Sequence, residues 1–196
     1  MDEQACAALA AAIVEAFETG NPIAPLAPAL TPPDAAAGEA VAEAVLDALA
    51  IAPCGIRLLR QPDGSWLTGP MLPPRLLRDG ARLILPALRH PRLSAAAVGV
   101  LAEALEPGAE GAPRLAAVHP ALDAAGSRFR DGAATAGEAI ADLAGLGFVV
   151  AGRSTAVPAA PVAVSCAPDP KRPRGQQADL AEGFAAAAAA ARRLGG

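Results

Sequence analysis

The sequence predicts an α+β fold, with helices at the front, short strands in the middle and one helix at the back. Three observations carry that expectation. Apolar residues recur at helical spacing over the first fifty positions. Short apolar runs bounded by Gly and Pro follow from Gly55, and an alanine-rich stretch closes the chain. A length of 196 residues suits one domain, 1–196. Within it, 1–50 read as a helical layer, 55–166 as a β-rich core and 177–194 as a C-terminal helix.

Residues 2–19 form the first predicted helix. Asp2 is placed to cap it, Leu9, Ile13, Val14 and Phe17 share a face, and Gly20 with Pro22 stops it. Pro22, Pro25 and Pro28 impose an extended connection. Thr31-Pro32-Pro33-Asp34 opens a second helix, with Thr31 at the expected N-cap, Pro32 at N1 and an apolar stripe of Val41, Val45, Leu46 and Leu49. Ile56–Leu59 and Ser65–Thr68 flank the turn residues Pro62-Asp63-Gly64 and predict a hairpin. Arg82–Pro86, Phe148–Val150 and Val162–Val164 read as strands. Residues 134–146 read as a helix, and residues 94–105, rich in helix formers, read as helix by propensity alone. Pro168–Gly175 reads as a basic turn before the last helix, which alanine favours but which carries few large apolar groups.

The hydrophobic share of 53% includes 54 alanines, and aromatics are only 3%, so the core is built from small aliphatic groups. A net charge of −4 with 18% charged residues excludes a basic nucleic-acid or membrane-surface binder. No apolar run is long enough for a membrane span, and the acidic start Met1-Asp2-Glu3 is unlike a signal peptide, so a cytoplasmic location is expected. Cys6, Cys54 and Cys166 are too dispersed for a zinc site or a disulfide framework. No phosphate loop, GxSxG, HExxH or CxxC occurs. His90 and His119 each precede a proline and read as turn residues, and Lys171-Arg172-Pro173-Arg174 reads as a solvated tip.

Four stretches, in order, resemble one family. Thr19-Gly20-Asn21-Pro22-Ile23-Ala24-Pro25-Leu26 looks like a "G-x-P-I-x-P-L" segment, and Gly55-Ile56-Arg57 to Gly69-Pro70-Met71-Leu72 like a "G-[YW]-K-[IV]" strand and its hairpin. Pro91-Arg92-Leu93-Ser94-Ala95-Ala96 falls where the family has "P-R-V-E-P-E". Val118-His119-Pro120-Ala121-Leu122-Asp123, Ser127-Arg128-Phe129, Ile140-Ala141-Asp142 and Gly147-Phe148-Val149-Val150 look like "V-x-P-A-L-E", "S-R-[IF]", "I-A-D-N" and "G-x-F-V-L-G". Together they resemble the 2-keto-4-pentenoate hydratase group of the fumarylacetoacetate-hydrolase-like superfamily over most of 1–152. The resemblance implies a fumarylacetoacetase C-terminal-like mixed β-fold with an N-terminal helical layer. It implies a strand, not a helix, near 94–105. It also implies that the family's last strands, which carry a "G-D-x-[VI]-x-T-G" signature, are lacking here, leaving a sheet edge for a partner to cover.

The family's chemistry, as the resemblance implies it, is hydration of a 2-hydroxy-dienoate around Mg²⁺ or Mn²⁺. Two glutamates of an E-x-E strand and a third carboxylate hold the ion, beside a lysine. In this sequence the E-x-E positions are Ser94 and Ala96, the third carboxylate is Asp123, and the lysine position is Arg57. Gly126 and Leu143 replace an Asp and an Asn of the pattern. The expected site is therefore reduced to Arg57 (catalytic or substrate-binding), Ser94 (substrate-binding) and Asp123 (metal), with Glu103 and Glu106 lying beyond the strand. The first expectation is a hydratase-like protein whose metal-dependent lyase activity is lost or impaired and which holds no cofactor. One alternative is an active hydro-lyase of aromatic catabolism using Mg²⁺ or Mn²⁺ through Asp123, Ser94 and water. The other is a structural subunit. The expected partners are a small 2-oxo acid, a second copy or a full-length homologue, and neither nucleic acid nor membrane.

Overall fold

The computed structural model describes residues 1–61, 63–84, 88, 91–158, 161–166 and 174–194. Among them the chain forms α1 (Glu3–Thr19), α2 (Ala35–Leu49), β1 (Gly55–Arg60), β2 (Trp66–Met71), β3 (Leu76–Arg78), β4 (Arg92–Leu101), β5 (Leu115–Ala125), α3 (Ala136–Ala141), β6 (Phe148–Ala151), β7 (Val162–Cys166), β8 (Arg174–Ala178) and α4 (Leu180–Arg193). The architecture is mixed α+β, as the sequence predicts. The chain divides into two compact units. One comprises Met1–Leu76, Arg82–Arg92 and Ala124–Phe148, and the other comprises Leu77–Ala81, Leu93–Asp123 and Val149–Gly196.

In the first unit α1 behaves as its sequence predicts. The Asp2 carboxylate accepts the Ala5 N–H at 2.7 Å, and Gly20, at φ 74°, ends the helix in the left-handed region. Leu9 and Ile13 of α1 and Val41 and Val45 of α2 are almost completely buried. Each large aliphatic side chain so removed from water contributes about 1.5–3 kcal/mol. The cap of α2 is Asp34, which accepts the Ala37 N–H at 2.8 Å, and not Thr31. Thr31 instead closes a short 3₁₀ turn over Pro28–Leu30. A carboxylate directly adjacent to the helix is a stronger acceptor for its first N–H groups than a hydroxyl three positions further away. The helix expected over 134–146 is shorter, because α3 ends at Ala141 and a turn over Leu143–Gly145 follows. Thr135 caps α3 by accepting the Glu138 N–H at 3.1 Å, and Glu138 returns the bond by accepting the Ala134 N–H at 2.5 Å. β1 and β2 pair antiparallel from Gly55↔Met71 to Arg60↔Trp66, the expected hairpin. The turn residue Pro62 lies outside the described residues.

The second unit carries a four-stranded sheet in the order β3-β6-β5-β4. Residues 92–101, where helix propensity and family resemblance disagree, are strand β4. Alanine's helix preference is worth only tenths of a kcal/mol per residue, and pairing within the sheet outweighs it. Helix α4 packs on this sheet where Gly99 leaves room, since a Cβ there would stand 2.7 Å from the Phe184 ring. The strand expected at 82–86 does not form over Arg82–Ile84, and Leu85–Pro86 lie outside the described residues. β7 and β8 make an antiparallel hairpin, Val162↔Ala178 to Cys166↔Arg174. The basic turn between them, 167–173, falls outside the described residues, as does His90. No described helix is long and apolar enough to cross a membrane.

The α2–α3 crossing depends on two glycines. A methyl group at Gly38 would overlap the Gly137 carbonyl oxygen, and one at Gly137 would stand 2.7 Å from the Asp34 carbonyl oxygen. Gly183 of α4 has open space around it. Gly38→Ala is therefore expected to lower unfolding free energy by about 1–3 kcal/mol despite its better helix propensity. Gly183→Ala is expected to raise it by about 0.5–1 kcal/mol. Urea unfolding of both variants checks the opposite signs.

Candidate functional site

A polar cluster of the first unit surrounds a buried ion pair. Arg128 and Asp142 are 8% and 1% exposed, and Arg128 Nε donates to Asp142 Oδ1 at 2.5 Å. The Arg128 backbone N–H donates to Oδ2 at 3.1 Å, and the Ser127 hydroxyl to the same oxygen at 2.8 Å. The other guanidinium nitrogens donate to the Leu146 carbonyl at 2.5 Å and to the Asp142 carbonyl. Burial pushes the Asp142 carboxyl up from its ordinary value, opposed by the Arg128 charge and the Ser127 hydroxyl.

Between Asp142 and Leu146 the chain turns left-handed. Leu143 and Ala144 both have φ 52°, and Gly145 has φ 64°. For the two non-glycines this conformation costs on the order of 1–3 kcal/mol each. Arg57, expected as a catalytic or substrate-binding group, is 5% exposed and donates Nη1 to the Ala144 carbonyl. It braces the same turn. Gly69, its register partner on β2, admits the turn, because a Cβ there would lie 2.6 Å from the Ala144 methyl.

A second group of side chains was not foreseen from the sequence. The Arg75 guanidinium lies over the Phe17 ring at 4.0 Å and over the Phe148 ring at 4.6 Å. Arg128 approaches the same Phe17 ring at 5.6 Å. Burial, and then the neighbouring Arg128 charge, hold the Arg75 pKa below its ordinary value. The only signal in the sequence is an arginine following two prolines, which names no partner.

Ser94, Ala96 and Asp123 belong to the second unit. Ser94 is exposed and Ala96 half-buried on β4, two positions apart and so on one face of the strand. Asp123 is 4% exposed on the neighbouring strand β5. Glu103, beyond the end of β4, pairs with Arg114 at 3.5 Å. His119 shares Nδ1 with the Gly152 carbonyl at 2.8 Å. Among the described residues no group of three His, Cys, Asp or Glu side chains converges as a metal cage would require. A carboxylate, a hydroxyl and a methyl do not fit a hard dication, which takes six or more oxygen ligands.

Solved structures share this mixed α+β fold at low sequence identity. A solved structure similar to it is 4-oxalocrotonate decarboxylase from Pseudomonas putida G7 complexed with calcium and acetate. The match has 18% identity, a TM-score of 0.66 and coverage of 79% of this chain and 64% of that one. The same enzyme complexed with magnesium and adipate matches at 19% identity and TM-score 0.67, over 79% of this chain and 65% of that one. The chain thus spans less than two thirds of the length of these structures. No protein-family model and no curated protein matches the sequence.

The ion pair makes a stability prediction. Arg128→Met strands a buried carboxylate and two carbonyls and is expected to lower stability by about 3–5 kcal/mol. Asp142→Leu is expected to do the same by stranding the guanidinium. The double variant should lose clearly less than the sum of the two, a coupling that a urea-denaturation cycle reads directly.

Proposed function

We propose that this chain is a hydratase-like member of the superfamily in which metal-dependent lyase chemistry is lost or strongly impaired. The donor set at the three ligand positions carries the reading: Ser94 and Ala96 on β4 and Asp123 alone as a carboxylate. Two further observations support it. Arg57, at the family's lysine position, is buried and bonded to the Ala144 carbonyl. A guanidinium also stays protonated throughout the working range and does not serve as a base. The similar structures were solved with a dication and a small carboxylate, calcium with acetate and magnesium with adipate. A small 2-oxo acid is the corresponding ligand class for this chain, bound without the ion's help.

Calorimetric titration with Mg²⁺ and Mn²⁺ tests this. The protein as it stands should show no submillimolar binding and no hydration of 2-hydroxy-dienoates. Ser94→Glu with Ala96→Glu should create metal affinity that Asp123→Ala removes. Submillimolar binding by the unmodified chain, abolished in Asp123→Ala, would overturn the reading in favour of an active lyase.

A second reading, self-association, has its own observation. Among the described residues β4 is an outer strand of its sheet, and from Leu93 to Leu101 it carries no charge and no proline. Leu93, Val100 and Leu101 are 52%, 43% and 43% exposed. Outer strands that stay unpaired are ordinarily blunted by charge, proline or a bulge. A second copy pairing along β4 satisfies this edge. Light scattering should then report a dimer that Val100→Lys dissociates, and a monomer at every concentration would remove this reading.

A further inference from the structure

Arg75 stands apart from Arg57 and Arg128, the two buried arginines among the described residues of the first unit. Arg57 donates to the Ala144 carbonyl, and Arg128 uses three guanidinium nitrogens on Asp142 and Leu146. Arg75 is half-buried, yet among the described residues its guanidinium has neither a hydrogen bond nor an ion pair, its backbone N–H alone donating, to the Leu72 carbonyl. Its side-chain contacts are the Phe17 and Phe148 rings. Rings stacked on a guanidinium cover its flat faces and leave its N–H donors at the edge. A second cation, Arg128, shares the Phe17 ring with it, and the counter-ion of Arg128 is fully engaged.

We propose that Arg75, walled by Phe17 and Phe148, is a binding site for the carboxylate of a small organic acid. The planar edge of the guanidinium offers two parallel N–H donors that match the two oxygens of a carboxylate. The phenyl walls suit an apolar chain attached to it. Phe17 lies in the last turn of α1, at the negative end of the helix dipole, and that turn holds no basic residue of its own. This end of the helix disfavours anions in proportion to their charge, so a monoanionic carboxylate is penalised less than a phosphate dianion. The site does not rest on the reading of Ser94, Ala96 and Asp123.

The test uses the full chain with ¹⁵N-labelled arginine. The Arg75 Nε–H resonance is identified by its absence in Arg75→Lys or, should that variant not fold, by its displacement in Phe148→Leu. Acetate, butyrate, inorganic phosphate and chloride are titrated at constant ionic strength. Acetate and butyrate are expected to move this resonance saturably, butyrate more tightly, with phosphate weaker and chloride without saturation. Phe17→Leu should weaken acetate about fivefold through loss of one stacked ring. A resonance that no carboxylate moves beyond the chloride response makes Arg75 a structural pin and overturns the proposal. So does tighter binding of phosphate than of acetate.

Discussion

Arg128 and Asp142 are both almost out of contact with water, and neither tolerates that position alone. Removing a carboxylate or a guanidinium from solvent costs several kcal/mol, which only close pairing and full hydrogen bonding offset. Asp142 receives the Arg128 Nε, the Arg128 backbone N–H and the Ser127 hydroxyl, so both its oxygens are used. The pair consequently fixes two pieces of chain against each other, the Gly126–Phe129 segment and the end of α3. The Gly126 N–H to Gly145 carbonyl bond at 3.0 Å repeats the tie in the backbone. Ile23 joins the same assembly, accepting the Arg130 N–H and donating to the Arg128 carbonyl, both at 2.8 Å. That places the proline-punctuated connection after α1 and gives it a partner despite its lack of regular structure.

The left-handed turn at Leu143–Gly145 exists because this frame over-determines it. Arg57 holds the Ala144 carbonyl, and Arg128 holds those of Asp142 and Leu146. Two side chains thereby satisfy three carbonyls that leave the helical ladder when α3 stops. In the resembled pattern the residue after the aspartate is asparagine, which takes positive φ more readily than other non-glycines. Leu143 gives up that tolerance but is 0% exposed, so its buried side chain offsets the backbone strain with transfer energy.

Local sequence rules read well where local physics decides. α1 could be read from Asp2, its apolar stripe and Gly20, and the β1–β2 hairpin from its turn residues, because capping and turn geometry act over a few positions. β4 was not readable from its residues. Leu93–Leu101 contains helix formers and lacks alternating polarity, and its strand state is imposed by pairing with β5, which the segment itself does not encode. Thr31 was the expected cap of α2, and Asp34 takes that place instead, a choice that residue type alone does not make. For the site, resemblance picked out Arg57, Ser127, Arg128 and Asp142 as positions but did not reveal that Arg57 and Arg128 brace one turn. The stack of Phe17, Arg75 and Phe148 draws on residues more than fifty positions apart in sequence and had no local signature.

The proposed loss of metal chemistry has an energetic logic in this arrangement. Carboxylates gathered for a dication repel one another once the ion is gone, and neutral residues at those positions relieve the repulsion. Ser94 and Ala96 sit on a strand whose side chains are exposed or half-buried, so their replacement disturbs no core packing. Arg128 and Asp142 have no such freedom, since changing either leaves a buried charge. The frame and the ligand set are therefore held by different forces. The first is fixed by a buried pair that the fold requires. The second is held only by the ion it would bind, so substitution there can proceed without weakening the fold.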